Sequence, residues 1–267
     1  MRRLKVTLEY DGTHFAGFQK QSGTDLRTVQ GVLEESLVRL TGKETPITGA
    51  GRTDSGVHAL GQVVHFETGS SIPVERFCRA LNGKLPPDIK ALDAVEVDAS
   101  FHARRSASGK KYRYLVFNSR KPLALWRNYC YRFPFPLEMA RVKECAAVLT
   151  GEHDFRAFSV AGSSVKSTVR HLYSVDAEQQ GDWVRFSVIG NGFLYKMMRL
   201  IVGTLLETGC GKLSPGQVKQ ILEKGERGRG VLPLPRRDST WYRYITRMGL
   251  FLTETYRSPR IKQVEEQ

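Results

Sequence analysis

The sequence contains only four cysteines among 267 residues, and no two of them form a Cys-x-x-Cys pair. Short-spaced cysteine pairs are the usual signal of a zinc site or a disulfide framework, so the sequence predicts neither. An apolar run long enough to cross a membrane is also missing, and residues 1–7 are charged and then alternating, unlike a signal peptide. We therefore expect reduced thiols, no membrane association and a cytoplasmic location.

The familiar cofactor motifs are missing as well. The sequence has no G-x-x-x-x-G-K-[ST] loop, no strand followed by G-x-G-x-x-G, no His-Glu-x-x-His pair and no EF-hand loop. These motifs are the usual sequence evidence for nucleotide, dinucleotide, zinc and calcium sites. The six histidines are scattered, and a lone histidine is more often structural than a ligand. The sequence therefore predicts neither a cofactor nor a metal.

Positive charge, in contrast, is abundant. Lysine and arginine total 41 against 27 aspartate and glutamate residues, which gives a net charge of +14 at pH 7. Such a surplus attracts polyanions, and each phosphate contact releases condensed counterions. Nucleic acid is therefore the leading class of partner, although charge alone is about equally consistent with a basic protein that binds none.

The apolar spacing alternates between the strand and the helix period along the chain. Residues 4–10 alternate as in a half-buried strand, and residues 28–42 have helical spacing between a capping threonine and a terminal glycine. A long buried helix is predicted after Asn191 and Gly192, and residues 225–247, rich in arginine, are predicted to form a basic loop region. The pattern favours an α+β fold with mainly antiparallel sheets flanked by helices.

A change in composition suggests two domains. Residues 106–111 are small and polar, and a new predicted strand begins there. We therefore expect an N-terminal α+β domain at residues 1–107 and a C-terminal α+β domain at residues 108–267, with the elements of the two halves in a similar order.

A glycine-rich segment, GAGRTDSGVH at residues 49–58, is the first candidate site. Glycine permits tight turns and a close approach of a ligand to the backbone. A carboxylate presented on such a loop can act as a nucleophile, a base or a metal ligand, although Asp54 has no obvious co-ligand for a metal. Spacing alone favours a simpler alternative, a turn in which Asp54 bonds its own backbone.

Cations and aromatic residues alternate in the segment KKYRY at residues 110–114. On a strand this pattern neutralises phosphates and offers a face on which a base can stack, with Tyr112 and Tyr114 on one side. An amphipathic strand with both tyrosines in the core is equally consistent with the spacing.

A single arginine, Arg199, interrupts the otherwise largely apolar residues 197–206. A guanidinium that enters a core needs a carboxylate or several carbonyl groups as partners. The alternative is an arginine that reaches the surface from the edge of its helix.

Motifs spread over the whole chain resemble the tRNA pseudouridine synthase A family. They comprise residues 9–12, 15, 17–19, 28–31, 49–58, 61–66, 82, 85–86, 101–104, 111–114, 151–155 and 191–199. One stretch departs from the family pattern. Before its last strand the family has a run of small residues, where residues 231–248 read VLPLPRRDSTWYRYITRM and continue the basic stretch 225–248.

The resemblance implies a fold, a reaction and a set of site residues. The fold would be the pseudouridine synthase fold, with two similar domains whose sheets meet at a basic cleft. The enzyme would act as a homodimer and convert uridine to pseudouridine in the anticodon stem-loop of tRNA, at positions 38, 39 and 40, without a cofactor. The implied site residues are the catalytic Asp54, Tyr112 against the target base, Arg199 paired with Asp54, Arg52 beside the flipped nucleotide, and Lys111 and Arg113 as substrate contacts.

Overall fold

The computed structural model describes residues 1–160, 166–227, 231 and 234, and the backbone of residues 240–246. The first half of the chain contains three long strands, one short strand and two helices. In chain order these are β1 (Arg2–Tyr10), α1 (Val29–Thr41), β2 (Thr48–Gly49), β3 (His58–Thr68), α2 (Val74–Asn82) and β4 (Ile89–Val97). A single 3-10 turn, Gly12–His14, follows β1.

The second half again mixes strands and helices. In chain order its elements are β5 (Ala107–Phe117), β6 (Tyr131–Arg132), α3 (Met139–Leu149), β7 (Gly151–Asp154), β8 (Val169–Gln180), β9 (Trp183–Gly190), α4 (Met197–Gly209), α5 (Pro215–Lys224) and β10 (Thr240–Thr246). A second 3-10 turn lies at Arg156–Phe158. None of the described helices combines the length and the apolar content needed to cross a membrane.

Local sequence signals explain several of these boundaries. The Thr28 side chain accepts a hydrogen bond from the Gly31 amide at 3.2 Å and caps α1, which ends at Gly42 in the left-handed conformation. These limits confirm the predicted helix. The helix predicted after Gly192 is α4, which is buried along most of its length but begins only at Met197. Lys196, with φ of 59°, does not have the right-handed helical conformation and delays the start.

One sheet runs through both halves of the described chain. Its strand order is β4–β1–β3–β10–β5–β9–β8–β7, with β2 paired to β3 and β6 paired to β5. Most pairs are antiparallel, and β10 is parallel to β3 and antiparallel to β5. The α+β prediction with mainly antiparallel pairing is therefore confirmed.

Strand β10 corrects the prediction of a basic loop over residues 225–247. Its sequence TWYRYIT consists mostly of aromatic and β-branched residues, which favour a strand despite the arginine between them. Apart from residues 225–227, 231 and 234, the rest of that stretch lies outside the described residues, as does the strand predicted to begin at residue 250.

Two hydrophobic clusters pack against this sheet. One is built from residues of the first half, such as Leu4 and Phe77, and the other from residues of the second half, such as Phe186 and Ile201. Tyr112 packs against both clusters. The division into domains 1–107 and 108–267 stays a prediction.

Candidate active site

The loop that carries Asp54 connects β2 to β3, and its first residues are held against β3. The Ala50 amide donates to the Val63 carbonyl at 2.8 Å, and the Gln62 side-chain amide donates to the Gly51 carbonyl at 3.0 Å. A β-carbon on Gly49 would lie 2.4 Å from the ring of Phe18, so only glycine fits at this position. The start of the loop is therefore fixed by the sheet.

The middle of the loop is held from the other side by the segment after β1. The Phe18 amide donates to the Thr53 carbonyl at 3.0 Å, and the Gly56 amide donates to the Phe15 carbonyl at 3.3 Å. Gly17 has a φ of 118°, and a β-carbon there would lie 2.9 Å from the Thr53 oxygen. This close backbone contact requires glycine, and it brackets Asp54 between two anchored residues.

A buried hydrogen bond anchors the residue before Asp54. The hydroxyl oxygens of Thr53 and Tyr10 are 2.8 Å apart, and both side chains are buried. Burial raises the pKa of Tyr10 to about 12 against the opposing effect of hydrogen bonds to Thr53 and Gln62, so its hydroxyl stays protonated. Thr53 therefore points into the core, while the side chains of Arg52 and Asp54 on either side of it are exposed.

Asp54 lies at the start of a tight turn. Its carbonyl accepts a hydrogen bond from the Val57 amide at 3.2 Å. The turn expected from the glycine-rich sequence is therefore present, and it places the exposed carboxylate of Asp54 at the outer edge of an anchored loop. A carboxylate held in this way is accessible to a substrate.

The sheet brings the strand of Tyr112 close to this loop. Tyr112 on β5 pairs with Tyr242 on β10, and Tyr242 pairs with Ala59 on β3, five residues after Asp54. Adjacent strands lie about 4.8 Å apart, so the backbones of Tyr112 and Ala59 are separated by roughly 10 Å. Arg113 is in register with His58 in the same way.

The side chain of Tyr112 lies between the two hydrophobic clusters and is partly buried. Its ring meets that of Phe193 edge to face, with centroids 4.6 Å apart. Alternation along β5 directs Lys111 and Arg113 to the opposite face of the sheet from Tyr112. The assignment of these two residues to substrate binding stays a prediction.

Lys110 shares the face of Tyr112 by the same alternation. Burial, together with the nearby positive charges of Arg104 and Arg170, lowers the pKa of Lys110 to about 8. Three cations therefore lie near one another on or beside the strand of Tyr112. The position of Arg170 depends on the pairing of β8 with β9 and was not predictable from the sequence, whereas the two-residue spacing of Lys110 and Tyr112 was visible.

Arg199 lies in the first turn of α4 and is partly buried. Its Nη2 donates to the Leu234 carbonyl, and its buried Nε has no hydrogen-bond partner within the described residues. The ion pairs of the described residues do not include one between Arg199 and Asp54. A carbonyl contact is thus present, and the pairing with Asp54 stays a prediction.

Metal chemistry finds no support in the described residues. In residues 1–160, 166–227, 231 and 234, His, Cys, Asp and Glu side chains form no group of three that could hold a metal ion. An exposed carboxylate on an anchored loop, with a tyrosine ring two strands away in the same sheet, suits covalent or acid–base chemistry.

Comparison with known proteins identifies the class of enzyme to which the chain belongs. The family model described as tRNA pseudouridine synthase matches residues 7–104 and 145–243, and the chain belongs to this family of isomerases. The chain is similar to tRNA pseudouridine synthase A of Acetivibrio thermocellus, with 44% identity over 256 residues that cover 96% of this chain and 100% of the relative. It is also 46% identical to the enzyme of the same name from a Geobacillus species, over 85% of this chain and 91% of that one.

Proposed function

We propose that this protein isomerises uridine to pseudouridine in the anticodon stem-loop of tRNA, at positions 38, 39 and 40, with Asp54 as the nucleophile and without a cofactor. The observation that carries the proposal is the position of Asp54, which is exposed on a loop anchored from both sides and separated from the strand of Tyr112 only by β10. The similarity over nearly the full length of enzymes named tRNA pseudouridine synthase A supports the substrate.

The reaction needs only a nucleophile and a path for one proton. The bond between N1 and C1′ breaks, the uracil rotates, a bond forms between C5 and C1′, and the proton on C5 is lost while N1 gains one. Atoms and electrons balance within the nucleotide and solvent, so the reaction needs no oxidant and no group donor. A carboxylate can form a covalent intermediate that divides this change into easier steps, and Asp54 is placed to do so.

The ring of Tyr112 would stack on the flipped uracil and replace the base stacking that the target uridine loses. Moving a uridine out of the stack costs a few kcal/mol, which stacking on an aromatic ring can offset. The Tyr112 hydroxyl would then handle the proton that leaves C5. The exposed Arg52, two residues before Asp54, would support the flipped nucleotide through its phosphate.

The cations beside this site would hold the RNA. Lys110 shares the face of Tyr112 and lies near Arg104 and Arg170, and phosphate groups are the natural partners of such cations. Lys111 and Arg113 would add contacts from the opposite face of the sheet. The homodimer and the cytoplasmic location implied by the family resemblance belong to the same proposal.

The test is tritium release from tRNA labelled at C5 of uridine. The wild-type protein should release tritium with a chelator present, and Asp54→Ala should release none while it still binds tRNA, because phosphate contacts dominate affinity. Asp176→Ala is a matched control, since Asp176 is an exposed carboxylate on β8. Equal release by Asp54→Ala and the wild-type protein would disprove the assignment of the nucleophile.

A further inference from the structure

A polar cluster lies behind the Asp54 loop, and the proposed chemistry makes no use of it. We infer that Asp11, His58 and Tyr129 are positioning residues that fix the Asp54 loop relative to the strand that carries Tyr112. This inference rests on the proposed function and adds to it three residues that touch neither the substrate nor the reacting atoms.

Asp11 is the centre of the cluster. Its carboxylate accepts hydrogen bonds from the amide and the hydroxyl of Thr13, at 2.9 and 2.6 Å, and from the hydroxyl of Tyr129 at 2.5 Å. Partial burial would raise the pKa of Asp11, but the hydrogen bonds from Thr13 and Tyr129 outweigh it and lower the pKa. Asp11 is therefore ionised at neutral pH, and charge-assisted hydrogen bonds of this kind are the stronger ones.

His58 links this centre to two parts of the chain. Its side chain is 1% exposed, and its Nε2 lies 3.0 Å from the Asn128 carbonyl. A carbonyl only accepts, so Nε2 carries a proton, while Nδ1 lies 3.0 Å from the Asp11 carboxylate and 3.1 Å from the Gly12 amide nitrogen. Burial lowers the pKa of His58 against the opposing effect of Asn128 and Asp11.

Tyr129 is the third member of the cluster, and its ring stacks on the imidazole ring of His58. The two ring centroids are 5.0 Å apart, and the ring planes differ by 30°. Asn128 and Tyr129 lie in the connection between β5 and β6, on the chain that leaves the strand of Tyr112. The cluster therefore joins the two sides of the proposed site by a route that does not pass through β10.

The same cluster reaches the segment of the loop that follows Asp54 by two connections. His58 is the first residue of β3, four residues after Asp54. Asp11 caps the 3-10 turn that leads to Phe15, whose carbonyl accepts hydrogen bonds from the Ser55 hydroxyl at 3.2 Å and from the Gly56 amide at 3.3 Å. A change in the cluster would move the loop without removing any group that contacts RNA.

Tyr129→Phe is the sharpest test, because it removes one hydroxyl and keeps the ring that stacks on His58. A displacement of about 1 Å can lower a rate roughly 100-fold, so the single-turnover rate of pseudouridine formation should fall 10- to 100-fold while the Kd for tRNA stays within twofold. Thr168→Val is the matched control, since the Thr168 hydroxyl also donates to a carboxylate, that of Asp154, at 2.5 Å. Its rate should equal that of the wild-type protein.

Two further variants, Asp11→Asn and its double variant with Tyr129→Phe, distinguish a positioning role from a general loss of structure. Asp11→Asn replaces one of the two carboxylate oxygens, which accept from Thr13 and Tyr129, by an NH2 donor and removes the charge. Its rate should therefore fall at least as far, and the double variant with Tyr129→Phe should be no slower than Asp11→Asn alone. If Asp11→Asn folds poorly, Tyr129→Phe and Thr168→Val decide the question on their own, since both substitutions preserve the shape of the side chain.

The outcomes separate this inference from the proposed function. A wild-type rate for Tyr129→Phe, a loss confined to tRNA affinity, or additive losses in the double variant would overturn the positioning role alone. If the wild-type protein formed no pseudouridine, the proposed function would fail, and this inference would fail with it.

Discussion

Arg199 lies in the first turn of α4, and its role in the site depends on the group that its guanidinium contacts. The apolar surroundings of Arg199 predicted a carboxylate or carbonyl partner, and the structure supplies the Leu234 carbonyl. Two roles follow from these observations. In one, Arg199 holds the segment that leads to β10, and in the other it also keeps Asp54 ionised when tRNA is bound.

The pH dependence of the rate distinguishes these roles. An adjacent cation favours the ionised form of a carboxylate by about one to three pH units, so its loss favours the protonated form. If Arg199 pairs with Asp54, Arg199→Ala should slow the reaction and should also move the acidic limb of the pH–rate profile to higher pH. Arg199→Lys should restore the position of this limb but only part of the rate, because lysine lacks the planar guanidinium.

The control for this measurement is Arg185→Ala, which removes an exposed arginine of β9 that pairs with Glu178. Its pH–rate profile should match that of the wild-type protein. A slower Arg199→Ala enzyme with an unmoved acidic limb would show that Arg199 acts only through the Leu234 contact.

The turn after β1 packs against the Asp54 loop so closely that it tolerates no side chain at one position. A β-carbon on Gly12 would lie 2.0 Å from the Val57 carbonyl oxygen, which is part of the backbone and cannot move aside cheaply. We expect Gly12→Ala to reduce the free energy of unfolding by about 1–3 kcal/mol, the usual cost of overpacking. Urea unfolding measures this change.

Gly69→Ala is the matched control for this substitution, since a β-carbon there has no heavy atom within 4 Å. Its stability should equal that of the wild-type protein or exceed it slightly. Equal stability of Gly12→Ala and Gly69→Ala would mean that the turn and the loop can separate without cost.

Elements defined by local signals were predictable, and those defined by distant partners were not. The caps of α1, Thr28 and Gly42, are readable within a few residues, and so is the turn in the glycine-rich segment around Asp54. Strand β10 was missed because arginines obscured its aromatic pattern, and because its pairing partners β3 and β5 precede it by more than 100 residues. The arrangement of the strand of Tyr112 two positions from β3, which follows the Asp54 loop, depends on β10, so the sequence could suggest both residues but not this arrangement.

For the molecule as a whole, the excess of positive charge predicts how tRNA binding responds to salt. The net charge of +14 should place several cations on phosphates, and each contact adds about −0.7 to −0.9 to the slope of log K against log salt. The affinity should therefore fall steeply between low and moderate salt. Filter binding at several salt concentrations measures the slope.

Substitution of Lys110 tests whether the cations near Tyr112 contribute to the slope of log K against log salt. Lys110→Met removes one charge and keeps an apolar chain of similar length, so it should reduce the slope by roughly one phosphate contact. Lys219→Met is the control, because Lys219 is exposed on α5, which packs against β7 at the far end of the sheet. Burial lowers the pKa of Lys110 to about 8, so its charge is lost above that pH, and wild-type affinity should fall between pH 7 and 9 more than that of Lys110→Met. Equal slopes and equal pH responses in the wild-type and Lys110→Met proteins would place the RNA on another face of the molecule.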